Sequence, residues 1–179
     1  MMITGIVVVA LIALFVLTDR NNTANQDIEE VQDIKKLVDD YTLGNIQAQN
    51  ASTTSEELIV TESDGSESVY EMPEDEFFVS IAPYIEQTHP CADHSLTGCQ
   101  GEMVEEDFEV YIEDEEGNIV VDETMTSQAN GFIDLWLPRN RNYNVTISNA
   151  EKTAESTFST FEGDNTCITT IQLTDEVSA

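Results

Sequence analysis

From Glu57 onward the apolar residues recur at every second position, and each short run ends at a cluster of Gly, Asn, Asp or Pro. A period of two belongs to extended strands, whose side chains alternate between two faces. Glu57–Glu62 and Glu67–Met72 flank Ser63-Asp64-Gly65-Ser66 and predict a hairpin. Phe77, Val79 and Ile81 alternate towards Pro83. Phe108, Val110 and Ile112 lead through Asp114-Glu115-Glu116-Gly117 to Asn118–Glu123. Gly131–Leu137 leads through Pro138-Arg139-Asn140-Arg141-Asn142 to Tyr143–Ser148, and Thr153–Phe161 leads through Glu162-Gly163-Asp164-Asn165 to Cys167–Leu173. Short strands at this spacing predict an antiparallel β-sandwich.

Ahead of the strands the pattern is different. Ile28, Val31, Ile34, Leu37, Val38 and Tyr41 recur at steps of three and four, which predicts an amphipathic helix over Asp27–Leu43 with Gly44 as its stop. Asn45–Ser55 is uncharged and reads as a linker or an irregular second helix. Of the first 17 residues 15 are hydrophobic, and every charged residue lies at Asp19 or later. No Lys or Arg precedes this run, and no small-x-small site or cysteine follows it closely. The expectation is therefore an N-terminal anchor rather than a cleaved signal, with the remainder outside the cytoplasm, in the periplasm or at the cell surface. The expected class is α+β, mainly β: a signal or transmembrane anchor at 1–18, a helical region at 19–55 and a β-rich domain at 56–179. Within the last, GFIDLWLP followed by NYNVTI resembles transthyretin-like and immunoglobulin-like sandwiches, a likeness of fold alone.

Charge narrows the partners. With 36 acidic against 6 basic residues, the net charge is −30. Nucleic-acid binding needs Lys and Arg to displace counterions, and this chain lacks them. Anionic headgroups repel it too, so contact with a membrane is expected only through the N-terminal anchor. An acidic surface of this kind suits a saline medium, where screening suppresses its self-repulsion.

The chemistry concentrates in one segment. Cys91, Cys99 and both histidines, His89 and His94, fall within eleven positions, and the third cysteine, Cys167, lies 68 residues further on. Three thiolates suit a soft monovalent ion, Cu(I) above all. Two of them on one loop cost little closure entropy, and a third from a strand fixes the loop to the sandwich. Two other readings stand beside this one. Outside the cytoplasm three cysteines also fit one disulfide, Cys91–Cys99, plus a leftover thiol. Zinc held by three Cys and one His is the third, although the C-x₂-C pair of most structural zinc sites is missing. His89 and His94 are secondary candidates for ligation and serve equally as turn residues. A cysteine nucleophile at Cys91 with His94 lacks an orienting group and an oxyanion site. No phosphate loop, HExxH helix or calcium loop occurs. An enzyme is not expected.

The run from Pro73-Glu74-Asp75-Glu76-Phe77 through Val79-Ser80-Ile81-Ala82-Pro83-Tyr84 into THPCADHSLTGCQGEM resembles the CueP family of copper-binding, copper-resistance proteins of the bacterial periplasm. GFIDLWLPRN and the closing GDNTCITTIQL agree with it, and the likeness covers roughly residues 27–175. It implies that Cys91, Cys99 and Cys167 correspond to the family's three copper-binding cysteines. It also implies storage of copper or its delivery to cuproenzymes such as copper,zinc superoxide dismutase, thiol-linked reduction of Cu(II) to Cu(I), and dimerisation through the N-terminal helical part. A disulfide-stabilised interaction or adhesion module on a membrane stalk is the alternative.

Overall fold

The computed structural model describes residues 33–175. The expected anchor at 1–18, the first turns of the expected helix and residues 176–179 lie outside the described residues. No helix among those described is long and apolar enough to cross a membrane. The chain divides into two compact units, Met1–Leu37 and Val38–Ala179, and the second carries every strand and the site described below.

Helix α1 is seen over residues 33–42 and buries Val38 and Tyr41. Gly44, at φ 69°, ends it. The Gly44 amide donates to the Tyr41 carbonyl at 3.2 Å and the Asn45 amide to the Asp40 carbonyl at 2.9 Å. This pair of bonds caps orphan carbonyls of the last turn, and its geometry favours glycine. The expected stop is where the sequence places it.

Strand follows strand from there: β1 (Asn50–Thr53), β2 (Glu57–Thr61), β3 (Glu67–Glu71), β4 (Glu76–Ile81), β5 (His94–Ser95), β6 (Asp107–Asp114), β7 (Ile119–Thr126), β8 (Ile133–Pro138), β9 (Asn142–Asn149), β10 (Lys152–Ser159), β11 (Cys167–Ile168) and β12 (Thr174–Asp175). They form three sheets, ordered β3-β2-β1-β5, β12-β10-β9-β6-β7 and β11-β4-β8. The fold is mainly β with a single short helix among the described residues.

The five-stranded and three-stranded sheets enclose the main core. Phe77, Val79 and Ile81 of β4 and Ile133, Leu135 and Leu137 of β8 meet Phe108, Val110 and Ile112 of β6 and Tyr143, Val145 and Ile147 of β9. Alternation thus places one face of each strand inward, as the sequence predicts. β4 is the exception, because it is central in its sheet and buried on both faces. Its second face carries Phe78 and Ser80, paired in register with Trp136 and Asp134 of β8. That face turns towards β5, whose His94 ring lies 6.3 Å from the Phe78 ring. A strand buried on both sides reads as a near-continuous apolar run, which explains FFVSIA.

Three expectations are corrected. Asn50–Thr53 is a strand, not a linker or second helix; it pairs with β2 and β5, across the expected boundary at 55/56. The sandwich is not wholly antiparallel, since β11 runs parallel to β4. Nor is Cys167–Leu173 one strand. The Ala82 amide donates to the Ile168 carbonyl and the Tyr84 amide to that of Ile171, so two residues on one side face three on the other. The extra residue forms a bulge, and pairing resumes only at Tyr84 and Gln172.

Candidate metal centre

Cys167 opens β11, where it lies opposite Ser80 of β4 and is 2% exposed. Its amide donates to the Ala92 carbonyl at 3.0 Å, which binds the Cys91 loop to the strand. The preceding residue is a second clamp. The buried Thr166 hydroxyl donates to the Thr53 carbonyl at 2.7 Å and accepts from the His94 amide at 2.9 Å, joining β1, β5 and β11.

After β5 the chain turns sharply, with the Cys99 amide donating to the Ser95 carbonyl at 3.0 Å and the Ser95 amide pointing back at the Cys99 sulfur at 3.4 Å. This brings the Cys99 and Cys91 Sγ atoms to 3.5 Å. All three cysteines are free. Cys91 and Cys99 are half-buried and pack with Cys167 against Ala82 and Phe132. The three sulfurs and one ring nitrogen of His89 all lie within 4.8 Å of one another. His89 stands with its ring 6.4 Å from that of the fully buried Phe132. A cavity of about 290 Å³ lined by Cys91, Cys167, Ser159, Asn165 and Thr170 opens beside the sulfurs.

His94 lies outside that set of four. Its ring is wholly buried, 4.5 Å from the Phe132 ring, with Nε2 3.3 Å from the Ser80 hydroxyl. The Ser80 hydroxyl in turn donates to Asp134. Burial pushes the Asp134 carboxyl up, opposed by that hydrogen bond. Part of its surface is exposed, but protein crowds the carboxylate on nearly every side.

The thiols influence one another strongly. Hydrogen bonding from Cys167 holds the Cys99 thiol far below its usual range, aided by His94 and His89. The Cys167 thiol is raised in return, first by that same bond and then by burial. Desolvation pushes Cys91 up to about 11. The cluster thus keeps one negative charge, centred on Cys99, and resists a second and a third until a cation arrives to compensate them. Such a donor set fits a soft metal ion, because binding supplies the missing positive charge and expels the remaining thiol protons.

Two contacts fix the loops. Glu102 accepts the backbone amides of Ile85, Glu86 and Gln87, at 2.7, 3.0 and 3.2 Å to Oε2, and so ties the loop after Cys99 to the segment leading to His89 and Cys91. Desolvation acts to raise its pKa, but the three amides together hold it below the usual range. A carboxylate with a lowered folded pKa stabilises above its unfolded pKa of about 4.3 and loses that contribution as pH falls through the folded value. Glu102→Gln should therefore loosen residues 85–91 at neutral pH, read as faster amide exchange there while the β6–β9 core is unchanged. Equal exchange in both proteins would remove Glu102 from the architecture of the site. The second contact is backbone on backbone, Gly101 against Gly131, with the Gly101 amide donating to the Asn130 carbonyl at 2.7 Å.

The sequence singles out all five of these Cys and His residues. It does not single out Ser80, Glu102, Phe132 or Asp134. Asp134 leaves the one legible trace, an acidic residue within the apolar run GFIDLWLP.

Comparison with known proteins places this geometry. Residues 33–172 match the family model of the periplasmic copper-binding protein CueP. A crystal structure of S.CueP is 36% identical and superposes with a TM-score of 0.73, covering 79% of this chain and 88% of that one. No match was found among the curated proteins. A family match over most of the length, with a solved relative of the same fold, leads to one conclusion: the chain belongs to the CueP family of periplasmic copper-binding proteins.

Proposed function

We propose that this protein holds Cu(I) outside the cytoplasm through the thiolates of Cys91, Cys99 and Cys167, as a copper store or carrier that confers copper resistance. The observation that carries the reading is the meeting of three free sulfurs within 4.8 Å, two from a loop and one from a strand. Copper is cargo here, not an enzyme's cofactor. His89, the fourth donor of that set, and His94 behind Cys99 are further candidate ligands and the natural first contacts for Cu(II), which favours imidazole more than Cu(I) does. Delivery to a cuproenzyme such as copper,zinc superoxide dismutase, dimerisation through the N-terminal helical region and tethering by residues 1–18 belong to the same reading.

A second, compatible activity is supported by the 3.5 Å separation of Cys91 and Cys99. Two Cu(II) ions accept one electron each, the Cys91 thiol releases its proton while Cys99 enters as the thiolate, and one disulfide forms with two Cu(I). This makes the protein a stoichiometric reductant, not a catalyst.

Titration of the reduced protein with Cu(I) against a competing chromogenic chelator tests the first reading. One copper per chain is expected, with all three thiols becoming protected together. Failure to compete with the chelator would instead favour the disulfide-stapled interaction module.

A further inference from the structure

The buried Cys167 packs against Ala82 and Phe132, which are buried as well. It also borders the cavity of about 290 Å³, which Cys91 lines too and Cys99 does not. Asn165 and Thr170, both exposed, form part of the wall, so the cavity reaches the surface. With Thr157 and Ser159 they make that wall polar, and a polar cavity of this size holds water. Asp164 is its one charged lining residue among those described. The turn that carries Asp164 is pinned, since its carboxylate accepts the Phe161 amide at 2.8 Å and the Gly163 amide donates to the Ser55 hydroxyl at 3.0 Å. The opening is therefore built into the fold.

We propose that this cavity is the entry port for copper, and that copper arrives through it as a small, hydrophilic, non-anionic complex. The inference rests on the three-thiolate reading above and names the form of copper that the site takes. Size argues for a small carrier. Sites for drug-sized ligands run to roughly 300–1,000 Å³, and this cavity lies just below that range. Charge narrows the class further. The chain carries −30 and the one charged group in the wall is acidic, so cations are drawn in and anionic chelates are repelled. A hydrated ion keeps hydrogen-bonding partners along a polar wall and gives up its waters only where the sulfurs replace them. A residue that lines such a route without touching the bound metal changes the barrier alone. Entry and release then alter by one factor, and affinity stays.

Asn165→Trp and Thr170→Trp each add bulk to the wall at an exposed position, where substitution costs the fold little. Cu(I) uptake by the reduced protein from the small cationic acetonitrile complex, followed by stopped flow, should slow roughly tenfold in each variant. Release to an excess of chelator should slow by the same factor, leaving the dissociation constant at its wild-type value. Gln100→Trp, exposed, next to Cys99 and outside the cavity, should change neither rate. Transfer from the bulky, anionic bicinchoninate complex should run at a rate independent of protein concentration, because copper must leave that complex before it enters. Wild-type rates in both cavity variants, slower uptake in Gln100→Trp alone, an affinity that falls with uptake unchanged, or bimolecular transfer from bicinchoninate would each overturn the proposal. If one cavity variant does not fold, the other decides. A wild type that binds no Cu(I) sinks the thiolate reading and the port with it, whereas tight binding with unslowed variants sinks the port alone.

Discussion

Gly101→Ala should melt about 10 °C below the wild type and lose the shared protection of its three thiols by copper. An ideal Cβ on Gly101 would lie 2.5 Å from the Gly131 carbonyl oxygen, 3.0 Å from its carbon and 3.3 Å from the Ala82 side chain. Two of those neighbours are backbone and cannot rotate away. Gly131 is equally constrained, at φ 78° and with Gly101 backbone atoms 2.8 Å from its own would-be Cβ. Relief requires the loop after Cys99 to lift from the β8 entry, stretching the Gly101–Asn130 hydrogen bond. Overpacking of this kind costs roughly 1–3 kcal/mol or more, and for a domain of this size about 3 kcal/mol is a shift of about 10 °C. The site suffers with the fold, because the same segment carries Cys99 and Glu102. Gly98→Ala is the control in the same loop. Its Cβ would meet only the Ser95 hydroxyl, at 2.9 Å, and that flexible side chain can give way. Thermal melts of the two variants check the argument, and a G101A protein as stable as G98A would refute it.

How far the site can be read from sequence depends on which interactions are local. Strands β2, β3, β4, β6, β8, β9 and β10 announce themselves because alternation is a property of neighbouring residues. Gly44 is legible for the same reason, as a residue tolerant of the turn that ends α1. β1 is not, since its sequence Asn-Ala-Ser-Thr holds a single apolar residue. Its strand character comes from partners on both sides, β2 and β5. The parallel pairing of β11 with β4 is equally invisible, as it joins segments more than 80 residues apart. The bulge after Ile168 is a consequence of that pairing.

The cysteines and histidines stand out by rarity and clustering, but their surroundings do not. His94 reads as a turn residue, yet Phe78, Ser80 and Phe132, all distant in sequence or on another strand, enclose it completely. Ser80 and Asp134 show why. Each looks like a polar interruption of an apolar strand, and only the register of β4 against β8 makes them one hydrogen-bonded pair. The sequence therefore identifies the donors of the centre, while the groups packed behind them are products of tertiary structure.

Cys167→Ala should weaken Cu(I) binding by more than about 100-fold while costing the fold little. The side chain is a small buried group in a cluster with Ala82 and Phe132. Removing one sulfur there forfeits about 1 kcal/mol of packing. Its chemical role is larger. Cys167 supplies the strand thiolate, the one that does not move with the loop, and its hydrogen bond is the leading cause of the Cys99 ionisation. The variant thus loses a ligand and also the group that keeps a second ligand charged. Loss of an outer hydrogen-bonding partner alone typically costs 10- to 100-fold in metal affinity, so loss of a direct donor should exceed that range. The remaining pair behaves differently as well. Cys91 and Cys99 stand 3.5 Å apart, against about 2.05 Å in a disulfide, so closure asks for a small movement of one loop. In air the copper-free variant should go to zero free thiols, whereas the wild type retains one. Affinity by chelator competition and a free-thiol count on the same samples read the two effects separately. An unchanged Cu(I) affinity in Cys167→Ala would eliminate the three-thiolate site, because Cys167 is the thiolate that β11 contributes to it.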